Sequence, residues 1–534
     1  MTLSVPPSRL KRHLLLWLAL LLTHVGQAQA LNRTEFGQNP YPIWSPLSFF
    51  ERQTVGERHA AEAGDPDALL ALYIMASGRY SVDDYLAIKK QIDTFINTLQ
   101  TRTDGMLDPW QQGELLNGAM HHTFFKAPNP KKTSSDNEKQ ANNKPPNNYD
   151  LDQSALTGIF QQHTFNCISS SLLYAVLARH LNFNGRGVML PSHAFIQLDF
   201  DDGKSAEVET TSPKGYDKHH DAEFYQRAAE AWFNPRGLAP STYEDYLNRE
   251  LIPFWQLGTR NMLHQHTHPN RMNDVDRGRL AEISAFIDPR HEPAQINRMH
   301  YYTTEASALA EKKQWQDLTR LLETVLEQLS LDTASFSHNE QLQNSFFWLH
   351  LLAIEAYSQR LDLDATLNAI DRANNLAYTD ERLSRVKNRS VDALNTLLKN
   401  TVSKEDFDSG LDAITAIEMI ISDHPQFIQI LEWFYNQWAK FYWNSQSWPD
   451  AVATLEDYLA QPYLPSDISQ TQKNLASAYK NWVLYEIDYN NLKSAKAIAL
   501  QCEMQHLEAQ ICKAAKDEVA IANTKHTMLK PHTH

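Results

Sequence analysis

Two side chains in this sequence could work together as a nucleophile and its base: the thiol of Cys167 and the imidazole of His193. Cys167 stands in His163-Thr-Phe-Asn-Cys167-Ile-Ser-Ser-Ser-Leu-Leu-Tyr, where apolar residues begin to recur at helical spacing. A cysteine at the start of a helix feels the positive end of the backbone dipole, which favours thiolate over thiol. His193 follows in Leu190-Pro-Ser-His193-Ala-Phe, and Glu207-Val-Glu209-Thr-Thr then brings two carboxylates. A thiolate attacks a carbonyl carbon, an imidazole carries the proton, and a carboxylate orients the imidazole. A lone cysteine in an apolar helix is otherwise an ordinary small core residue.

Hairpin geometry tests whether the histidine and an acid can meet. Side chains alternate faces along a strand, so His193 shares a face with a cross-strand partner only when paired residue numbers have an even sum. His193 to Phe200 alternates, with Ala194, Ile196, Leu198 and Phe200 on one face. Lys204 to Thr210 reads as the return strand. A three-residue loop at Asp201-Asp202-Gly203 pairs Phe200 with Lys204 and sets Phe195 opposite Glu209, diagonal to His193. Gly203 suits the left-handed position of such a loop. A two-residue turn would put His193 and Glu209 on opposite faces. Glu207 shares the face of Glu209, so the hairpin alone does not choose between them.

Other clusters carry weaker chemistry. His264, His266 and His268, and the run His219-His220-Asp221, suggest metal but lack the helical spacing of a catalytic zinc site. No Gly-rich phosphate loop is evident, and neither a metal nor an organic cofactor is expected. The amide of Cys167 is the expected first oxyanion donor. Gln161, Gln162 or His163 could give a second.

The elements that position these residues follow from the pattern around them. Asp65-Pro66-Asp67 opens a helix over 68–76, and Ser81 caps another with Asp83 and Asp84 in its first turn. Residues 151–160 look like a short helix and 167–181 like a longer one. Gly185 and Gly187 end that stretch, and residues 187–190 read as a strand closed by Pro191. Residues 126–150 are rich in Pro, Asn, Lys and Ser and cannot bury enough apolar surface to fold.

The chain has 534 residues, a net charge of −15 and 42% hydrophobic residues, enough for two or three domains with real cores. The acidic balance argues against nucleic acid and anionic membrane surfaces as partners. Arg9, Lys11 and Arg12 precede the apolar run Leu14 to Leu22, and Ala28-Gln29-Ala30 offers a cleavage site. This is the pattern of a bacterial export signal, and its run is too short to span a bilayer as a stable helix. Removal of its three basic residues would leave the mature chain at about −18 from the starting −15. The product is expected to be periplasmic or secreted, with no membrane span after cleavage. Of three cysteines, Cys502 and Cys512 could bridge only if the chain reverses between them. One unbroken helix would hold them about 15 Å apart.

The order of Phe165-Asn-Cys167, Leu190-Pro-Ser-His193-Ala-Phe and an acid followed by Thr resembles the transglutaminase-like superfamily of papain-type folds. On that resemblance Glu209, followed by Thr210-Thr211, is the third catalytic residue beside Cys167 and His193. The family more often has Asp there. The resemblance implies an α+β core and attack of Cys167 on an amide or peptide carbonyl through a thioester. Hydrolysis would make the protein a protease or amidase; an amine acceptor would make it an acyltransferase.

From about residue 300 the pattern is helical and recurs. Trp315-Gln-Asp-Leu, Leu363-Asp-Ala-Thr, Phe407-Asp-Ser-Gly, Trp448-Pro-Asp-Ala and Tyr489-Asn-Asn-Leu lie 48, 44, 41 and 41 residues apart. This resembles a tetratricopeptide-like array of helical hairpins, a solenoid whose concave surface binds protein. The expected plan is a signal peptide (1–30), a mostly helical N-terminal segment (31–125), a low-complexity loop (126–150), a transglutaminase-like core (151–235), a connector (236–300) and the helical repeats (301–534). The alternative is an inactive transglutaminase-like adaptor that binds peptides or envelope proteins.

Overall fold

The computed structural model describes residues 48–78, 80–103, 108–125, 151–218, 220–234, 239–266, 274–331, 338–505 and 508–529. The export signal, residues 126–150, His219 and His268 lie outside them. The chain divides into two compact units, the first holding residues up to 304 with 327–342, the second 305–326 with the rest.

The first unit is built around two helices that are apolar on every side. Pro66–Met75 starts on Asp65, whose carboxylate accepts from the amide of Ala68, and every residue from Ala68 to Met75 is buried. A helix without a polar face belongs inside a core. Cys167–His180 is the second, buried from Ser169 to Ala178. Val82–Thr103, Pro109–Phe124, Leu156–Gln162, Phe254–His266 and Asp274–Ile287 belong to the same helical layer. Ser81 and Asp84 cap the first of these reciprocally. Where one helix was expected over 151–160, a 3₁₀ turn (Leu151–Ser154) is split from Leu156–Gln162 by the extended backbone of Ala155.

A four-stranded antiparallel sheet covers one side of the Cys167 helix. Its strands are β1 (Asn184–Leu190), β2 (His193–Asp199), β3 (Ser205–Val208) and β4 (Glu250–Pro253), in the order β3-β2-β1-β4. The β2–β3 hairpin has the register read from the sequence. Ile196 pairs with Val208, Phe200 and Lys204 close the loop, and Gly203 is left-handed at φ 83°. Strand β1 begins earlier than expected and runs through Gly185 and Gly187. A side chain at Gly187 would lie 2.5 Å from Leu257, and one at Gly185 would lie 2.8 Å from Phe254. These glycines therefore let the helix Phe254–His266 approach the sheet instead of breaking the strand. Strand β4 was not expected; it is short, ends in Pro253 and pairs with β1 at the sheet edge.

The second unit is helical. From Asp380 onward each long helix (Asp380–Ser403, Pro425–Asn444, Ser469–Asp488) packs on the shorter one that follows it (Phe407–Ile421, Trp448–Leu459, Leu492–Met504). Five times a helix ends on a left-handed, non-glycine residue two positions before the next helix: Lys313, Leu361, Glu405, Gln446 and Asn490. Each turn has the same pair of bonds, for example Asp406 N–H to the Thr401 carbonyl and Glu405 N–H to the Val402 carbonyl. This is the Schellman ending, which satisfies the last carbonyls of a helix. The last of the five helices starts at Leu492, three residues beyond the expected Tyr489, which closes the preceding helix. The chain reverses between Cys502 and Cys512, whose Cα atoms are 5.5 Å apart and whose sulfurs are bonded. Among the described helices none is long and apolar enough to cross a membrane.

Candidate active site

Cys167 is the first residue of its helix because Asn166 caps it. The Asn166 carboxamide oxygen accepts from the amides of Ile168 at 2.9 Å and Ser169 at 3.2 Å, and Ser169 Oγ accepts from the Asn166 amide. The cap thus uses the second and third amides of the helix and leaves the amide of Cys167 outside it. Asn166 is itself tied down by its bond to Ser154 Oγ at 2.6 Å. Cys167 is a free, half-buried thiol.

His193 opens β2, and Glu209 follows the last residue of β3. The offset register brings them together, with His193 Nε2 2.6 Å from Glu209 Oε2. The side chains of His193 and Glu209 are 16% and 8% exposed, so water screens the pair weakly. Cys167 and His193 line the same cavity, and Cys167 is among the groups that raise the pKa of His193. Since Glu209 occupies Nε2, the ring nitrogen left for the sulfur is Nδ1. Glu209 therefore takes one side of the imidazole and leaves the other nitrogen for the cavity that Cys167 also lines.

Electrostatics hold the proton on the imidazole. Burial would lower the pKa of His193, but the Glu209 charge, the neighbouring Cys167 and the bond to Glu209 outweigh it and push it well above the ordinary range. Burial would likewise raise that of Glu209. The His193 charge, the bonds from His193 and Thr211, and the nearby His220 instead hold it at about 2. Thr211 Oγ1 donates to Glu209 Oε1 at 2.7 Å, so both carboxylate oxygens are occupied.

The residue between those two is also committed. Thr210 Oγ1 lies 2.8 Å from Ser170 Oγ and 3.0 Å from Ser171 Oγ, both on the Cys167 helix. Ser170 Oγ further donates to the carbonyl of Cys167 at 3.3 Å. His121 bonds the Thr210 carbonyl from the helix Pro109–Phe124 at 3.0 Å.

Glu207, the rival acid, has other partners. Its Oε2 lies 2.6 Å from Nδ1 of the fully buried His220; Tyr246 donates to it at 2.9 Å and Arg249 lies 3.4 Å away. The sequence left Glu207 and Glu209 equivalent; their partners separate them.

The other candidates are dispersed. Gln161 donates to Asp84 at 2.8 Å, and His163 bonds the Phe124 carbonyl at 3.3 Å. Neither lines the cavity beside Cys167, whereas Gln153, which the sequence gave no reason to choose, does. His264 lies on the cavity wall, His220 is held by Glu207, and Asp221 caps the helix Ala222–Ala228. A grouping with metal-like spacing among the described residues is Asp67, Asp93 and His180, but the Lys89 ammonium sits 2.5 Å from Asp67 and 3.4 Å from Asp93.

Cys167, His193 and Glu209 line one cavity of about 1320 Å³, whose walls all belong to the first unit. Residues 87–251, which hold all three side chains and strands β1 to β3, match the family model described as the transglutaminase-like superfamily. The chain contains a transglutaminase-like domain. The match begins inside the helix Val82–Thr103 and ends in β4. A search of the curated proteins gives no match. Among solved structures, the chain is similar to one titled "Crystal structure of menin reveals the binding site for Mixed Lineage Leukemia (MLL) protein". Identity is 12% and the TM-score 0.29, over 80% of this chain and 95% of that one. That likeness is too slight to transfer fold or function.

Proposed function

We propose that the transglutaminase-like domain is a cysteine-dependent acyl-transfer centre acting on amide or peptide bonds. The observation that carries this reading is the His193–Glu209 bond at 2.6 Å beside a free thiol, Cys167, that lines the same cavity. The Cys167 sulfur, its proton passed to His193, bonds to the carbonyl carbon and the carbonyl electrons move to oxygen. The Cys167 amide and the Gln153 carboxamide are the donors proposed for that oxyanion. Collapse breaks the C–N bond, His193 gives its proton to the leaving amine, and a thioester remains on Cys167. Water or a second amine then attacks the thioester and gives its proton to His193, the C–S bond breaks, and His193 returns that proton to the departing sulfur. Glu209 keeps Nδ1 aimed at sulfur and stabilises the imidazolium.

Alkylation by iodoacetamide near neutral pH tests this, followed by intact mass. Cys502 and Cys512 are bonded to each other, so a single adduct reports on Cys167. Cys167 should label roughly tenfold or more faster than a small-molecule thiol, and His193→Ala should abolish the difference. If Cys167 labels no faster, the enzyme reading is lost and a non-catalytic peptide-binding domain takes its place.

We place this centre outside the cytoplasm, in the bacterial periplasm or secreted. The N-terminal pattern of Arg9 to Ala30 supports export, and a bonded cysteine pair is at home in an oxidising compartment. The second unit is proposed to be an α-solenoid of tetratricopeptide-like helix pairs that binds a protein partner. Five identical left-handed turns support this. Pull-down from the native envelope with an activity probe, with Cys167→Ala as control, would identify substrate and partner; an empty, Cys167-independent capture would count against both.

A further inference from the structure

The acyl donor's chemistry can be read from the walls around Cys167, granted the acyl-transfer reading above. At about 1320 Å³ the cavity exceeds the few hundred to about a thousand Å³ that hold one drug-sized ligand. Its occupant is therefore larger than a single amino acid side chain, and because Cys167 and His193 open into it, that occupant carries the reacting carbonyl. The walls come from β1 and the turn after it, residues 224–233 with Ala239 and Ser241, and the helices Phe254–His266 and Glu292–Glu311. Apolar side chains dominate them, with Met189, Leu190, Phe224, Leu257 and Ile296 representative.

The charges are more telling. The chain carries 64 acidic residues against 49 basic ones, yet among the described residues Glu209 is the one carboxylate that lines the cavity, and His193 neutralises it. The one guanidinium there, Arg260, is bound to Asp288 at 3.0 Å and Glu250 at 3.1 Å. Among the described lining residues a substrate ammonium would meet no carboxylate outside the pair with His193. A substrate carboxylate would meet the imidazoles of His264 and His300 but no guanidinium outside its ion pairs, so either charge is desolvated at a cost. The hydroxyls of Ser192 and Ser241 bond each other at 2.9 Å, and the carboxamides of Gln153 and Gln341 lie among the apolar groups. Walls that mix such groups with aromatics suit a chain with its own amides; a hydrocarbon tail would leave them unanswered.

We propose that this cavity takes an uncharged, apolar-rich peptide as the acyl donor. Such a peptide buries its side chains against the walls and hydrogen-bonds through its backbone, with its reacting amide held against Cys167. Peptides bearing Lys, Arg, Asp or Glu beside that amide are rejected.

The test is a set of peptidyl vinyl sulfones that share one warhead and differ only in flanking side chains: Leu-Phe, Lys-Lys and Glu-Glu. A long-chain fatty-acyl vinyl sulfone completes the set. Rates of adduct formation at Cys167 in the full-length protein are normalised to each probe's rate with glutathione. The Leu-Phe probe should react roughly tenfold or more faster than either charged one. Ile296 is half-buried, so Ile296→Glu should fold and should shift preference toward the Lys-Lys probe. Equal rates for all probes would overturn the proposal, and so would a fatty-acyl probe that outpaces Leu-Phe. Iodoacetamide separates this from the enzyme reading, since it needs no cavity contacts. If iodoacetamide labelling is fast while the probes show no preference, only the substrate class fails. If iodoacetamide labelling is slow, calorimetry of a Leu-Phe peptide amide with Cys167→Ala still tests the cavity, and absence of binding overturns the proposal.

Discussion

Glu207 holds His220 at 2.6 Å from the same strand on which, two residues later, Glu209 holds His193 at the same distance. Phe195 stands between the two imidazoles, its ring 5.8 Å from His193 and 4.5 Å from His220. The pairs look alike, yet His193 opens into the cavity and the His220 side chain is fully buried.

Substituting each acid should therefore separate activity from stability. Glu209→Gln should lower the rate of Cys167 acylation by about 10² to 10⁴ while the protein stays folded, because the imidazole loses its orienting charge. Glu207→Gln should leave that rate within a few-fold and lower the unfolding free energy by roughly 1–3 kcal/mol, through the weakened bonds to His220 and Tyr246. Single-turnover labelling and urea unfolding of both variants check this; a larger rate loss in Glu207→Gln would reverse the assignment.

The His193–Glu209 pair sets a pH dependence with a fixed sign. Glu209 falls from an ordinary 4.5 to about 2, so its contribution is fully present above pH 4.5 and is lost as pH falls toward 2. His193 is shifted up, so its contribution is complete below the ordinary imidazole pKa of about 6.5 and fades as pH rises through the higher folded value. Stability measured from pH 8 to pH 2 should drop below pH 4.5 in the wild type. The drop should be clearly smaller in His193→Ala, and an unchanged profile in that variant would refute the coupling.

Gln153 offers a sharper test of the oxyanion proposal than any residue near it in sequence. Gln153→Ala should cut kcat by about 10² to 10³, with KM little changed, since the donor acts where charge develops. A change confined to KM would make Gln153 a substrate contact.

Leu361 occupies a left-handed turn, at φ 62°, where a branched side chain is strained. Leu361→Gly should relieve that strain, partly offset by chain entropy, and raise the unfolding free energy of the second unit by about 0.5–1 kcal/mol. Leu361→Ala, which keeps a Cβ, should not. Denaturant melts of the three proteins decide the point.

What could be read in advance follows the range of the interactions involved. The His193–Glu209 contact was legible because a strand has period two and Gly203 fixes the loop, so a local count gave a long-range contact. Hairpin geometry alone did not separate Glu207 from Glu209, which only the acid-then-Thr resemblance favoured, because the partner that engages Glu207, His220, arrives from a later loop, and Tyr246 from a helix beyond it. Four of the five helix starts in the second unit were visible in Trp315, Leu363, Phe407 and Trp448. At the fifth, Tyr489 carries the aromatic signal but closes the helix before. The cavity was hidden altogether: Leu257, Arg260 and Ile296 lie on helices of the stretch taken as a connector, and no local pattern says which face they turn to Cys167.

Thr210 has a consequence for motion. Its hydroxyl sits on Ser170 and Ser171, and Ser170 reaches the carbonyl of Cys167. The strand end that carries the acid is thereby clamped to the first turn of the nucleophile's helix, independently of the sheet's own ladder. A shift of the outer strands would therefore carry sulfur and carboxylate together and leave the spacing between them unchanged.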